Sequence, residues 1–329
     1  MILTILKFSA ISGAIYLAIA LGLILSQRPG PVPGGKGLDF AGLIANPVTP
    51  PDDPAFRRET FTTPDGQAHP VTVVKADGAE ALPLVIMVHG SGWHGQQFDR
   101  LAWRLRDVAE LRAITLRGHG ANPQRRGDVD YLGQFEQDLA ALIGDTGGRK
   151  VVMLGHSSGG GLVVRFAGGA QGGLIDGAIL LAPFLQYDAP VTRANSGGWA
   201  YPLTRRIIGL SMLNMVGLRA LDHLTAIQFA MPQAVLDGPL GHTATTDYSW
   251  RLNQSYAPRR DYKADLATLP RFLLIAGAAD ESFDAAGYAQ LISTVTDKGQ
   301  YHVLPGIGHL DVVDAPQTEA LIREFLNGA

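Results

Sequence analysis

The sequence predicts an α/β domain, with a mostly parallel central sheet and helices on both faces. Two observations carry that expectation. Leu84–Val88 is a short continuous apolar run, and Ile179–Leu181 and, each opened by one basic residue, Lys150–Leu154 and Arg271–Ala276 are strand-like too, as expected of strands covered on both faces. Between them lie segments with apolar residues at three- and four-residue spacing, and strand–helix alternation of this kind builds a parallel sheet. The 329 residues are 46% hydrophobic, which fits a packed globular body. Net charge is −3 and no basic run stands out, so no nucleic-acid partner is expected. The chain has no cysteine, which excludes a disulfide framework, a thiolate nucleophile and any zinc site with Cys ligands.

The chain opens on an apolar segment. Phe8 to Ser26 carries no charge, and a helix of that length at ~1.5 Å per residue crosses most of a ~30 Å hydrocarbon core. Residues 1–27 are therefore read as a single membrane anchor. The rival is a cleavable signal sequence cut after Ala18-Ile19-Ala20, but that cut leaves Leu21-Gly22-Leu23-Ile24-Leu25 as a new apolar terminus. The α-amine and Lys7 lie on one side, Arg28 and Lys36 on the other. The positive-inside rule does not separate them; the short N-terminal tail favours an exported body. Residues 28–55 alternate Pro29, Pro31, Pro33, Pro47, Pro50, Pro51 and Pro54 with Gly30, Gly34, Gly35 and Gly37, the composition of an extended linker.

The body follows, at 56–184 and 266–329. Phe61 and Val71–Val74 flank a turn at Pro64-Asp65-Gly66 and read as a hairpin. After the strand at 84–88, Phe98, Leu101, Ala102 and Leu105 mark a helix. A strand at 113–116, a helix near 131–143, the strand at 150–154 and a helix from 158 continue the alternation. Late in the chain, helices near 285–296 and 315–327 flank a short strand at 301–304. Residues 185–265 are too long for a loop. Their run of Ile207, Ile208, Leu210, Met212, Leu213, Met215, Val216, Leu218, Leu221 and Leu224 reads as a largely helical lid insertion over the sheet edge. Met212 and Met215 either line an acyl channel or belong to the insertion's own core.

Four glycine-bearing turns carry the chemistry. Gly155-His156-Ser157-Ser158-Gly159 follows a strand and opens a helix, the context of a nucleophile elbow with Ser157 as nucleophile. The Ser158 amide then sits at a helix N-terminus, where orphan N–H groups favour a developing anion. His89-Gly90-Ser91-Gly92 follows the strand at 84–88 and offers the Ser91 amide as a second oxyanion donor. Asp280 in Gly277-Ala278-Ala279-Asp280 closes another strand and is placed to orient an imidazole; Glu281, Asp284 and Asp188 are rivals. His309 in Gly306-Ile307-Gly308-His309 is the candidate general base. His89, His94, His119 and His156 are read as structural hydrogen-bonders.

The order Ser157, Asp280, His309, with these turns, resembles the α/β-hydrolase superfamily over roughly residues 56–329. Within it, His89-Gly90-Ser91-Gly92-Trp93-His94-Gly95, Gly118-His119-Gly120, Gly155-His156-Ser157-Ser158-Gly159-Gly160 and the long insertion are most similar to the monoacylglycerol lipase and lysophospholipase group. Leu116-Arg117 before the Gly118 turn, Ala121-Asn122 after it, and Ser158 after the nucleophile depart from that group's usual residues. The resemblance implies a serine hydrolase of lipid-like esters, with Ser157, Asp280 and His309 as triad, Ser91 and Ser158 as oxyanion amides and 185–265 as lid. No cofactor or metal is expected: H-E-x-x-H, G-x-x-x-x-G-K-[ST] and a strand-borne G-x-G-x-x-G are absent. The same scaffold runs thioester and C–C hydrolysis, acyl transfer and perhydrolysis. The alternative from another class is an inactive membrane-tethered binding protein.

Overall fold

The computed structural model describes residues 1–32, 37–42, 52–76 and 78–328. Pro33, Gly34, Gly35, Lys36, Pro47, Pro50 and Pro51, named above, lie outside the described residues. The strands in chain order are β1 (Phe56–Thr62), β2 (Ala68–Val74), β3 (Leu84–Val88), β4 (Glu110–Ile114), β5 (Val151–His156), β6 (Gly177–Leu181), β7 (Ala200–Pro202), β8 (Thr225–Phe229), β9 (Asp247–Ser249), β10 (Arg271–Gly277) and β11 (Gly299–Leu304). The helices of six residues or more are α1 (Ile2–Ser26), α2 (Asp99–Arg104), α3 (Gln134–Ile143), α4 (Ser158–Ala167), α5 (Thr204–Met215), α6 (Trp250–Tyr256), α7 (Tyr262–Thr268), α8 (Gly287–Ile292) and α9 (Pro316–Asn327).

The main sheet has eight strands in the order β1-β2-β4-β3-β5-β6-β10-β11. From β4 through β3 to β11 all pairs are parallel; β1 and β2 add an antiparallel edge. The apolar runs explain the centre: every residue of β3, β5 and β6 is buried, and each buried Val, Leu or Ile contributes roughly 1.5–3 kcal/mol. The edges differ. β1 exposes five of its seven residues and β11 buries only Leu304, as suits strands that must not pair further.

After β3 the chain goes to β4 on one side, and β5 lies on the other. This reversal opens a crevice at the carboxyl ends of β3 and β5, where α/β sheets bind ligands. Val88 pairs with Gly155, so the turns that follow these two strands start level with each other.

The insertion differs from the largely helical expectation, and so does its position. Its helices α5 and α6 are joined by a three-stranded antiparallel sheet, β7-β8-β9. It reaches over the carboxyl rim of the main sheet, where Trp199 and Met231 face Ser157 across a cavity. Thr225-Ala226-Ile227-Gln228-Phe229 has β-branched residues at alternate positions and pairs on both sides, whereas the apolar run upstream places Ile207 to Met215 in α5 and leaves Val216, Leu218, Leu221 and Leu224 in the turns that follow it. Met212 and Met215 line neither cavity beside Ser157. Met212 packs in a small cluster with Ala20, Ile24, Leu210 and Leu213, and Met215 is exposed.

That cluster joins α1 to α5. The two run antiparallel: the Tyr16 hydroxyl donates to the Met212 carbonyl at 2.8 Å, and the Arg205 amide donates to Gln27 Oε1 at 2.8 Å. Gly209 permits the approach, since a Cβ there would lie 2.5 Å from the Ala20 carbonyl oxygen. Most of α1 is otherwise exposed and apolar, and it is long and apolar enough to cross a membrane. The linker composition pointed to an extended tether, yet its described part docks on the body: Leu38 and Phe40 are buried, and Gly30 exchanges two hydrogen bonds with Gln228. Two apolar side chains within a Pro/Gly background supply the reason.

Candidate active site

The site begins with a sharp turn. Ser157 sits between β5 and α4 at φ 55°, ψ −120°, a conformation costly for a residue with a Cβ. The turn holds because its flanks are bare. A Cβ on Gly155 would meet the Gly159 carbonyl at 2.3 Å, and one on Gly159 would meet the Val88 carbonyl at 2.1 Å. The Ser157 amide donates to the Leu181 carbonyl at 2.9 Å and its own carbonyl accepts from Gly161 at 3.1 Å. The backbone is thus tied on both sides while the hydroxyl is left at the crevice.

The turns after β10 and β11 supply the partners. They pair with each other, Ala278 N–H to the Leu304 carbonyl at 2.8 Å and Ala279 N–H to that of Ile307 at 3.0 Å. This brings Asp280 beside His309. His309 Nε2 lies 3.0 Å from Ser157 Oγ, and Nδ1 lies 2.8 Å from Asp280 Oδ2. The other carboxylate oxygen accepts from the amides of Ser282 and Phe283 at 2.7 and 2.8 Å. Burial pushes the Asp280 pKa up, but His309 and those two amides outweigh it and hold it below the ordinary value. An ionised Asp280 fixes the Nδ1–H tautomer, which leaves Nε2 free to accept a proton from the serine.

The rivals of Asp280 lie elsewhere. Asp188 pairs with Arg260 at the surface, and Asp284 accepts no hydrogen bond from His309. Glu281 touches the histidine at its backbone: Oε2 accepts the His309 amide at 2.9 Å, and Oε1 accepts that of Asp39 at 3.2 Å.

The turn after β3 packs on the serine, with Gly90 so close that a Cβ there would sit 3.2 Å from Ser157 Cβ. Among the described residues, neither the Ser91 nor the Ser158 amide has a hydrogen-bond acceptor. Gly90 N–H reaches Gln97 Oε1 at 3.4 Å, and Gly92 N–H donates to the Tyr248 hydroxyl at 2.6 Å. Tyr248 in turn lies 2.7 Å from His119 Nε2, and His119 Nδ1 donates to the Arg117 carbonyl at 3.0 Å. The Trp199 indole donates to Ser91 Oγ at 3.1 Å. Burial pushes Tyr248 up and His119 down to about 4, so this buried chain is neutral.

Of the remaining histidines read as structural hydrogen-bonders, His89 and His156 hold backbone, whereas His94 stacks on Trp93 and its buried Nε2 has no hydrogen-bond partner among the described residues. His89 Nδ1 donates to the Gly90 carbonyl at 2.8 Å and its Nε2 accepts from Leu116 at 3.1 Å. His156 Nε2 donates to the His309 carbonyl at 3.0 Å. Burial, reinforced by His309, pushes His156 down to about 3. Arg117, in the turn where the sequence departs from its resemblance, points away from the site and makes a two-pronged contact with Asp138 at 2.9 Å.

Two small cavities flank Ser157, of about 40 and 60 Å³. The first is bounded by His309, Gly90, Trp93, Trp199, Leu38 and Phe40; the second by Ser158, Phe184, Ile227, Phe229 and Phe283. Among the described residues no group of three or more His, Asp or Glu side chains is placed to hold a metal ion. Sequence reasoning missed Trp199, Tyr248, Leu38 and Phe40, none of which lies in a motif.

Known proteins share the fold and the family. A monoacylglycerol lipase from Mycolicibacterium smegmatis is 33% identical over 93 residues, 27% of this chain and 32% of that protein; the match spans about a third of that relative's length. A soluble variant of monoglyceride lipase from Saccharomyces cerevisiae, solved with a substrate analog, shares the fold at a TM-score of 0.64 and 17% identity, covering 86% of this chain and 97% of that one. A membrane phospholipase A described as a bacterial virulence factor superposes with a TM-score of 0.56 at 15% identity, covering 99% of this chain and 96% of that one. The family model described as serine aminopeptidase, S33, matches residues 79–315, most of the chain, and this protein belongs to that α/β-hydrolase family.

Proposed function

We propose that this protein is a serine hydrolase of carboxylic esters. Ser157 Oγ attacks the ester carbonyl as His309 Nε2 takes its proton, and Asp280 stabilises the imidazolium. The amides of Ser91 and Ser158 receive the oxyanion. The C–O bond to the alcohol then breaks, and His309 returns the proton to the departing oxygen. Water, deprotonated by His309, opens the acyl-enzyme and restores Ser157. The observation that carries this reading is the series Asp280–His309–Ser157, at 2.8 and 3.0 Å, ending at a cavity shared with Ser91 and Ser158, whose amides have no acceptor among the described residues.

A lipid-like ester of the monoacylglycerol or lysophospholipid type is the substrate class we infer, with residues 185–265 as the lid. Phe184, Ile227, Phe229 and Phe283 around the second cavity suit an acyl chain. The helix α1 fits an uncleaved anchor, because removing residues up to Ala20 would take away Tyr16, which bonds the Met212 carbonyl, and Ala20, which packs on Gly209. The test is hydrolysis of nitrophenyl butyrate and labelling by a fluorophosphonate. Ser157→Ala should lose both, with turnover falling roughly 10⁴-fold or more. A variant as active as the unaltered protein would refute the assignment of Ser157. Activity indifferent to acyl length would remove the lipid reading.

A further inference from the structure

The segment Gly37–Gly42 crosses the mouth of the first cavity. At one end Gly37 lies against Ala230 and Gly198 of the insertion; at the other, Gly42 lies against Asp311, two residues past His309. Between these ends Phe40 is wedged between two indoles, its ring centroid 6.0 Å from that of Trp93 and 5.8 Å from that of Trp199. Leu38 lines the same cavity. The Asp39 amide is clipped to Glu281, whose other oxygen holds the His309 amide. Asp39 Oδ1 accepts the Ala41 amide at 2.8 Å and stiffens the segment locally.

The chemistry distinguishes the two cavities. If the proposed ester hydrolysis is right, on which this inference rests, the departing oxygen must lie within reach of His309 Nε2. His309 borders the first cavity and not the second. The alcohol half of the ester therefore occupies the first cavity and the acyl half the second. At about 40 Å³ the first cavity, like the second at about 60 Å³, holds only a few water molecules as it stands, so length on either side of the ester is gained by moving a wall. A larger alcohol must displace a wall of the first cavity. The Gly90 turn and His156 are built on the central sheet, whereas Leu38 and Phe40 are side chains on a short segment that contributes no strand to it.

We infer that Leu38 and Phe40 are specificity-determining residues that set the size of the alcohol the enzyme releases. A wall of the substrate site is thus carried by the same stretch of chain that leads from α1 into the body. Phe40 acts by occupying volume, so shrinking or enlarging it should move the preference in opposite directions.

The test compares two ester series in detergent solution with the full chain. One series holds the acyl group as butyrate and lengthens the alcohol from ethyl to octyl. The other holds the alcohol as ethyl and lengthens the acyl group. Phe40→Ala should raise the octyl-to-ethyl ratio of kcat/KM about tenfold or more, and Phe40→Trp should lower it, while the acyl series keeps the shape it has in the unaltered protein. Leu38→Ala should move the ratio in the same direction as Phe40→Ala. Alcohol profiles that coincide in the unaltered protein and both Phe40 variants would overturn the inference, as would a shift in the acyl series instead. If the unaltered protein hydrolyses no ester and takes no fluorophosphonate label, it is the hydrolase reading that fails.

Discussion

The indole N–H of Trp199 donates to Ser91 Oγ at 3.1 Å, which ties the insertion to the turn that packs on Ser157. Trp199 also stacks on Phe229, with ring centroids 5.3 Å apart. Trp199→Phe keeps the stacking and removes the donor. Ester hydrolysis should fall about 2–10-fold, the worth of one net hydrogen bond. Ser91→Ala should cost a similar amount, and the double variant little more than either alone. Additive losses in steady-state kinetics would show that the bond does not couple the two residues.

Tyr248 is the second brace of that turn. Tyr248→Phe strands the buried Gly92 amide and the Nε2 of His119. Stability should drop by about 1–3 kcal/mol, the cost of an unpaired buried group, with kcat falling more than KM changes. Urea unfolding and kinetics on one preparation test both parts. Unchanged unfolding would contradict the accounting.

Arg117 and Asp138 form a buried pair, each about one-twentieth exposed. Arg117→Ala should destabilise by about 3–5 kcal/mol, since it leaves a buried carboxylate without its partner. Arg117→Met combined with Asp138→Leu should recover much of that loss, because no charge is then stranded. A double variant no better than the single one would place the cost in Asp65, the other partner of Arg117.

Acid should weaken the fold well above the range of carboxylate titration. Burial pushes His69 and His119 down to about 4, His94 and His156 down to about 3, and His89 well below its ordinary value. The unfolded chain binds protons at these positions below about pH 6.5, while the folded chain refuses them. Stability is therefore complete above that pH and declines as pH falls toward the folded values. Each histidine kept neutral costs up to about 2 kcal/mol at pH 5. Thermal melts should show Tm falling steeply from neutral pH to pH 5, and His94→Gln should flatten the slope. A Tm constant over that range would refute the prediction.

Most of the architecture could be read from residue pattern, because β3, β5, β6 and β10 are short apolar runs and the helices between them keep their periodicity. The start of β4 was missed since Glu110 and Arg112 look like loop residues; they neutralise each other at 2.7 Å inside the sheet. The small sheet inside the insertion was missed because β7 and β9 have three residues each, too few to show alternation. Ser157, Asp280 and His309 were visible as candidates because strand-end turns with glycine leave a local mark. Trp199, Tyr248 and Phe40 act through partners more than fifty residues away in the chain, and nothing local announces such contacts.

The close seat of α1 on α5, with Gly209 against Ala20, fixes orientation as well as position. A body on a slack tether tumbles above a surface and meets it with any side. Here the last turns of α1 are bolted flat against the insertion, so the exposed apolar turns of the helix hold one bearing to the rest of the molecule. The mouth beside Phe40 then keeps a constant angle to the helix, and lengthening the chain between helix and body would leave that angle unchanged.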